Sequence, residues 1–199
     1  MTDLVLDTQE GREGQAYVPR NFPPVLADAN WCGASFNRGL LRIHDAVSGP
    51  DSAEDILEAF SGRVSASADV IAFDWAGRQF VVDEKRGTQG KQFIVLAADP
   101  ATGGIEEIAD IEEFLFLLQV PEVTTVLQED RFQQALTHHS RGSLHFDEVI
   151  AVKTPLFFGG KDTLANTEVQ DLSVYWGINA QLIRSGRSGG TFAGFHPAE

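Results

Sequence analysis

Residues 70–83 read VIAFDWAGRQFVVD, two apolar runs separated by the short segment Ala76-Gly77-Arg78. Short apolar or alternating runs on either side of a glycine-containing turn are typical of a β-hairpin. A third run, Gln92 to Ala98, follows a glycine-containing turn and completes a predicted three-stranded antiparallel meander. The sequence therefore predicts an α+β fold, in which an antiparallel-dominated sheet is covered by helices.

Helices are predicted before and after this meander in the sequence. Ser52-Ala53-Glu54-Asp55 resembles a capping box at the start of one helix, and Asp110 with Glu113 three residues later predicts the start of another. Residues 122–140 are predicted to be helical, and Val169 to Arg184 to form the last strong helix. Two further strands are predicted at Gly39 to His44 and at Asp147 to Phe158.

The size and composition of the chain limit the kinds of protein it can be. Its 199 residues allow one large domain or two small ones, and 43% hydrophobic residues are enough to build a core. Asp and Glu number 29 against 15 Lys and Arg, which gives a formal net charge of −14. Because binding to phosphate backbones and anionic membranes depends on basic residues, we expect neither nucleic acid nor a membrane as a direct partner.

The sequence predicts a cytoplasmic location. Its one cysteine, Cys32, cannot form an internal disulfide, which is typical of a reducing compartment. The acidic residues before Gly14 are the opposite of a signal peptide, and no apolar run approaches the length of a membrane span.

Three short motifs suggest chemistry but lack the context that it requires. Gly186 to Gly190 matches the G-x-S-x-G pattern of hydrolases, yet a predicted helix precedes it and no acid separates it from His196. The segment 159–163 resembles a phosphate loop, but Asp162 replaces the Ser or Thr that would bind magnesium. On a helix, the adjacent His138 and His139 point about 100° apart and cannot share one metal ion. We therefore expect no catalytic residues, no metal and no cofactor.

A long acidic span is the feature most suggestive of binding. Between Gln92 and Asp130 the chain has nine Asp and Glu residues and no Lys or Arg. A surface of one charge sign steers an oppositely charged partner, so the span predicts an interface for a basic protein. A solvated helix face without any partner is the alternative. The candidate interface residues are Glu106, Glu107, Asp110, Glu112 and Glu113, of which the Glu pairs are predicted to lie on an exposed helix face.

Several motifs resemble a known family. The stretch from Asn30 to Ile43 looks like the end of a small GAD-like domain, and the 74–80 hairpin and 153–162 turn look like the domain that commonly follows it. Together they resemble immunity proteins of type VI secretion DNase toxins and, more loosely, the SUKH group of toxin-neutralising proteins. The motif residues, which we interpret as structural, are Asp74, Trp75, Gly77, Arg78, Pro155, Gly159, Gly160, Tyr175, Trp176 and Gln181.

This resemblance implies a non-enzymatic role, the neutralisation of a polymorphic toxin, with a basic nuclease as the expected partner. The corresponding organisation is a flexible acidic arm (1–16), a GAD-like segment (17–66), an immunity-type α+β domain (67–185) and a flexible tail (186–199). The alternative is a general protein-interaction or small-ligand-binding module without a toxin partner. An enzyme is the third possibility, because carboxylates in a cleft support acid–base chemistry.

Overall fold

A six-stranded antiparallel sheet forms the centre of the computed structural model, which describes residues 4–7, 17, 31–84 and 92–187. Its strands follow one another in sequence order, and each neighbouring pair is antiparallel. The α+β prediction is confirmed. The strands are β1 (Ser35–Phe36), β2 (Leu41–Ile43), β3 (Asp69–Asp74), β4 (Gln79–Glu84), β5 (Phe93–Asp99) and β6 (Gly104–Asp110).

The predicted meander is formed by β3, β4 and β5, and side chains on these strands alternate between two hydrophobic cores. Phe80 and Val82 of β4 lie in one core, whereas Val81 between them lies in the other. Successive side chains of a strand point to opposite faces, so a sheet buried on both faces needs apolar residues at every position. This is why the 70–83 segment is almost continuously hydrophobic.

Helices cover both faces of the sheet. The first core contains apolar residues of the three helices that follow β6, and the second contains residues of the helix after β2 and of the last helix. The helices are α1 (Ser48–Ala59), α2 (Ile111–Leu117), α3 (Glu122–Val126), α4 (Glu129–His138) and α5 (Leu172–Arg187). None of the helices in the described ranges has the length and apolar character needed to cross a bilayer.

A two-stranded antiparallel ribbon, β7 (Glu148–Val152) and β8 (Thr167–Asp171), is attached to the end of the β3–β4 hairpin. The Ile150 amide donates to the Trp75 carbonyl oxygen at 2.8 Å. Arg42 of β2 strengthens this junction, because its guanidinium donates to the carbonyl oxygens of Glu148 at 2.6 Å and Asp74 at 3.0 Å. Burial lowers the pKa of Arg42 to about 10, so it stays charged at neutral pH.

Two predictions that concern strands need correction. The acidic residues Glu106 and Glu107, predicted on a helix, lie on β6 instead. The predicted strand from Asp147 to Phe158 ends at Val152, and residues 156–158 form a 3₁₀ turn. Pro155 supplies no N–H for a ladder, so β7 ends before it.

Three helix predictions also need correction. Helix α1 begins at Ser48 rather than near Ser52, because Asp45 accepts from the Ser48 amide at 2.7 Å and Pro50 fits in a first turn. The predicted 122–140 helix is two helices, separated at Gln128 with φ +58°. Helix α5 begins at Leu172, since the preceding residues pair with β7.

Both ends of the chain are described only in part. Residues 4–7, predicted within a flexible arm, contact β1: Leu4 lies in the first core, and the Asp7 amide donates to the Ser35 carbonyl oxygen. Helix α5 continues to Arg187, so the first two residues of the predicted tail are helical. The other residues of the predicted arm and tail lie outside the described ranges. Strands β1 and β2 of the 17–66 segment belong to the same sheet as β3.

Candidate functional site: a central cleft and an acidic edge

The β3–β4 turn is built around the carboxylate of Asp74. Its Oδ1 accepts from the amides of Ala76 at 3.0 Å and Arg78 at 2.9 Å, and its Oδ2 accepts from Arg78 Nε at 2.5 Å. Gly77 has φ +81°, a conformation that favours glycine. Asp74 is fully buried, and its charge raises the pKa of Arg78. The turn therefore holds the Arg78 side chain in a fixed position.

Next to this turn is a cleft of about 200 Å³, which we call the central cleft. It lies where the β3–β4 turn, the β5–β6 turn, the ribbon and the start of α4 meet. Its walls combine apolar side chains with charged ones. Among the lining residues are Trp75, Arg78, Asp99, Arg131, Asp162 and Tyr175.

Two aromatic residues of the cleft are anchored by hydrogen bonds. Trp75 donates its indole N–H to the Leu127 carbonyl oxygen at 2.8 Å, which fixes the cleft wall against the end of α3. Tyr175 of α5 is 2% exposed, and its hydroxyl accepts from the Val152 amide at 3.4 Å. Burial raises the pKa of Tyr175 well above its ordinary value, so this phenol remains protonated.

A bidentate ion pair between Arg131 and Asp162 borders the cleft. Both side chains are substantially exposed, at 39% and 55%, so the pair contributes little to stability. The hydrogen bond to Asp162 raises the pKa of Arg131, whereas the nearby charge of Arg78 acts in the opposite direction. The two arginines are thus close enough to interact across the cleft.

The loop between β7 and β8 forms one side of the cleft and is closed by Asn166. The Asn166 amide group donates to the carbonyl oxygens of Thr154 at 2.9 Å and Lys161 at 3.0 Å. Gly159 has φ +85°, and a Cβ at Gly160 would overlap the carbonyl oxygen of Thr154. This turn therefore favours glycine at both positions, through backbone conformation at Gly159 and through space at Gly160.

The structure brings three of the ten motif residues together in the lining of the central cleft. Trp75, Arg78 and Tyr175 line the cleft, and Asp74 positions Arg78. The other motif residues are not among those that line the cleft. The carbonyl oxygen of Gly77 accepts a hydrogen bond from the Trp176 indole. The β7–β8 loop contains Pro155, Gly159 and Gly160. Gln181 is exposed on α5, and its side chain donates a hydrogen bond to the Gly177 carbonyl oxygen.

The five candidate interface carboxylates lie on β6 and at the start of α2, a region that we call the acidic edge. Glu106 and Glu107 are exposed on β6, the last strand of the sheet. The β5–β6 register shifts opposite Val95 and Leu96, which leaves Ile108 as an extra residue with 39% exposure. A bulge of this kind re-aims side chains at a sheet edge.

The other carboxylates of the acidic edge lie at the start of α2. Asp110 accepts from the Glu113 amide at 2.9 Å, and Glu113 accepts from the Asp110 amide at 3.3 Å. This reciprocal capping box confirms the predicted helix start. Asp110 and Glu113 therefore stabilise the helix locally, whereas Glu112 has no such role.

Two arginines from outside this span lie close to it in three dimensions. Arg63, from the loop after α1, donates to the Ile105 carbonyl oxygen of β6 at 2.6 Å. Arg78 is also close enough to Glu106 for that carboxylate to contribute to its raised pKa. Among the described residues, the five carboxylates of the acidic edge outnumber these two nearby arginines.

Sequence reasoning did not identify Arg131 as part of a site, and assigned Asp162 only to a failed phosphate loop. The two are 31 residues apart, and their pairing depends on how the β7–β8 loop folds against α4. No local pattern signals such a contact. Within the described residues, no group of three His, Cys, Asp or Glu side chains is arranged to hold a metal ion.

The fold places this chain in the α+β class. No family model and no curated protein matches it. A solved structure, the crystal structure of Atu4351 from Agrobacterium tumefaciens, is similar with a TM-score of 0.58 and 12% sequence identity. The match covers 85% of this chain and 83% of that one. At this identity the similarity shows a shared fold.

Proposed function

We propose that this chain is a non-enzymatic immunity-type protein of the cytoplasm, which binds and neutralises a basic nuclease toxin through the acidic edge. The motif resemblance supports the class of function, and the net charge of −14 supports a basic partner. The observation that carries the proposal is an exposed phenylalanine, Phe116, on the same helix as Glu112 and Glu113.

Phe116 of α2 is 66% exposed, whereas Phe114 two residues earlier is buried. Residues three and four apart lie on the same side of a helix, so Glu112 and Glu113 flank Phe116. Exposed aromatic residues surrounded by polar ones are typical of protein interfaces, where buried aromatic anchors supply much of the binding energy. The second exposed apolar residue of this region is Ile108 on β6.

The proposed mechanism needs no chemistry. The carboxylates accelerate encounter with a basic surface, and Phe116 supplies apolar contact area once the complex forms. An acidic surface of this kind either occupies the basic groove that a nuclease uses for DNA or binds beside it and excludes DNA sterically. Both modes require complex formation and no turnover.

The test is coexpression with any nuclease toxin found to be encoded next to this gene, followed by association kinetics at low and high salt. Replacing Glu106, Glu112 and Glu113 by Gln removes three negative charges, and Gln at the last position preserves the capping box. We expect slower association with a weaker salt dependence, because charges near an interface act mainly on the association rate. Phe116→Ala should instead accelerate dissociation.

A matched control removes three exposed charges elsewhere: Asp51→Asn, Glu54→Gln and Glu168→Gln. It changes the net charge equally, so equal slowing by both variants would contradict a specific acidic edge. Full protection with unchanged kinetics in the Glu106, Glu112 and Glu113 variant would do the same. If the unmodified protein neither bound nor protected against the nuclease, the immunity function itself would be rejected.

A further inference from the structure

The central cleft has the features of a binding site that is separate from the acidic edge. Its volume of about 200 Å³ is several times the ~30 Å³ that a water molecule occupies. It is smaller than the ~300–1,000 Å³ sites that hold drug-sized ligands. This size suits a group no larger than an amino acid.

Arg78 gives the cleft an available hydrogen-bond donor. Its Nε is used by Asp74, which leaves the two terminal nitrogens of the guanidinium. Within the described part of the chain, these nitrogens have no hydrogen-bond partner, and the side chain keeps 25% exposure. A guanidinium held at one nitrogen presents its remaining N–H groups in the fork geometry that matches a carboxylate.

Two further donors lie in the same cleft. The Tyr175 hydroxyl accepts from the Val152 amide, so its own proton is left to donate, and the described residues provide no acceptor for it. Among the described residues, Asp162 is the one ion-pair partner of Arg131, and exposed ion pairs are weak enough to exchange partners. Arg78, Tyr175 and Arg131 therefore supply donors from three separate elements.

Apolar side chains in the rest of the lining limit what the donors can hold. Trp75, Ile150, Leu156 and Leu164 contribute hydrophobic surface to the cleft. A ligand that fits must combine a hydrogen-bond acceptor with a small apolar body. A group able to accept from a guanidinium, a phenol and a second guanidinium together is an anionic oxygen pair.

We propose that the central cleft binds a carboxylate attached to a small apolar body, with Arg78 and Tyr175 as primary donors and Arg131 as a secondary one. The carboxylate comes either from a free small acid or from the C-terminus of a partner protein. This inference does not rest on the toxin proposal, because none of its donors is one of the five carboxylates of the acidic edge.

Two acidic residues of the cleft determine the expected direction of mutational effects. Asp99 lines the cleft, and its charge contributes to the raised pKa of Arg78, so it lies near the proposed ligand. Asp162 competes with the ligand for Arg131. Removing either negative charge should therefore strengthen binding of an anion, which is an effect that loss of structure does not produce.

The experiment is calorimetric titration of the full chain with N-acetyl-leucine and with N-acetyl-leucinamide. The two probes have the same apolar body, but only the first carries a carboxylate. An acetylated tetra-alanyl-leucine peptide, with a free or an amidated C-terminus, represents the partner source. Tighter binding of N-acetyl-leucine than of the peptide with a free C-terminus identifies a free acid, and tighter binding of that peptide identifies a partner C-terminus.

Variants then test the assigned donors. Arg78→Lys keeps the positive charge beside Asp74 but loses the paired N–H groups of the guanidinium. This substitution should weaken binding of the acid about tenfold. Arg131→Gln should weaken it about threefold and Asp162→Asn strengthen it about threefold, since both residues are exposed and screened. The conservative Asp99→Asn keeps the oxygen that accepts from Ala101 and should also strengthen binding.

The proposal is overturned if neither acid binds more tightly than its amide at millimolar concentration. Equal affinities across the Arg78, Asp162 and Asp99 variants would also overturn it, because the carboxylate would then bind elsewhere. Should Arg78→Lys fail to fold, Asp162→Asn and Asp99→Asn still decide the outcome. Nuclease protection plays no part in these measurements, so failure here leaves the acidic-edge proposal untouched.

Discussion

Trp176 donates its indole N–H to the Gly77 carbonyl oxygen at 2.7 Å, which joins α5 to the β3–β4 turn across 99 residues of sequence. Trp176 is 1% exposed, so no water replaces this bond if it is lost. The same turn carries Arg78, and the same helix carries Tyr175. This hydrogen bond therefore fixes the distance between two walls of the central cleft.

Trp176→Phe should destabilise the fold by about 1–3 kcal/mol, because the buried Gly77 carbonyl loses its donor and the smaller ring leaves space. Urea unfolding measures the change. The control is Val174→Ala on the exposed side of α5, which should change the free energy of unfolding by no more than about 0.5 kcal/mol. Equal effects of the two substitutions would mean that the hydrogen bond contributes nothing specific.

Gly160→Ala should destabilise the protein by about 2 kcal/mol, since the new methyl group overlaps the Thr154 carbonyl and forces the loop to move. Gly142→Ala is the matched control, because a Cβ there meets no atom within 4 Å. Thermal unfolding of both variants provides the comparison. An unchanged melting temperature for Gly160→Ala would show that the loop adapts without cost.

Asp55→Asn should stabilise the protein at pH 7.5. Partial burial, followed by the charges of Glu58, Glu54 and Asp51, raises the pKa of Asp55 from 3.8 to about 6. The folded state therefore binds the proton more tightly, and this group's contribution to stability improves as pH falls from above 6 to below 4. The residue is half-buried, so we expect a gain of roughly 1 kcal/mol after screening.

Unfolding by urea at pH 7.5 and at pH 4 separates this effect from a general one. The advantage of Asp55→Asn over the wild type should shrink at the lower pH, where the native carboxyl is largely protonated. Glu168→Gln, on β8, serves as a control that removes one exposed charge far from α1. An equal advantage at both pH values would contradict the raised pKa.

The hairpin and the α2 start were predictable because their determinants are local. Residues 70–83 contain both strands and their turn, and Asp110 and Glu113 are three residues apart in the capping box that they form. Strand β6 was not predictable in the same way. It is an edge strand with consecutive exposed residues at Glu106, Glu107 and Ile108, and its bulge removes the alternation that identifies strands.

The central cleft could be predicted only in part. The motif residues Trp75, Arg78 and Tyr175 all line it, but nothing in their spacing places them around one cavity. Their meeting depends on the attachment of β7 to Trp75 and on the packing of α5 across the sheet. The pairing of Arg131 with Asp162 depends on the same tertiary arrangement, which a local pattern does not encode.

The bulge at Ile108 has a consequence for behaviour at high protein concentration. An unpaired outer strand is a template on which a second copy can extend the sheet, and such growth leads to aggregates. Here the bulge interrupts the regular spacing of backbone groups, carboxylates repel an identical strand, and Arg63 occupies the Ile105 carbonyl. Strand addition at β6 is therefore disfavoured.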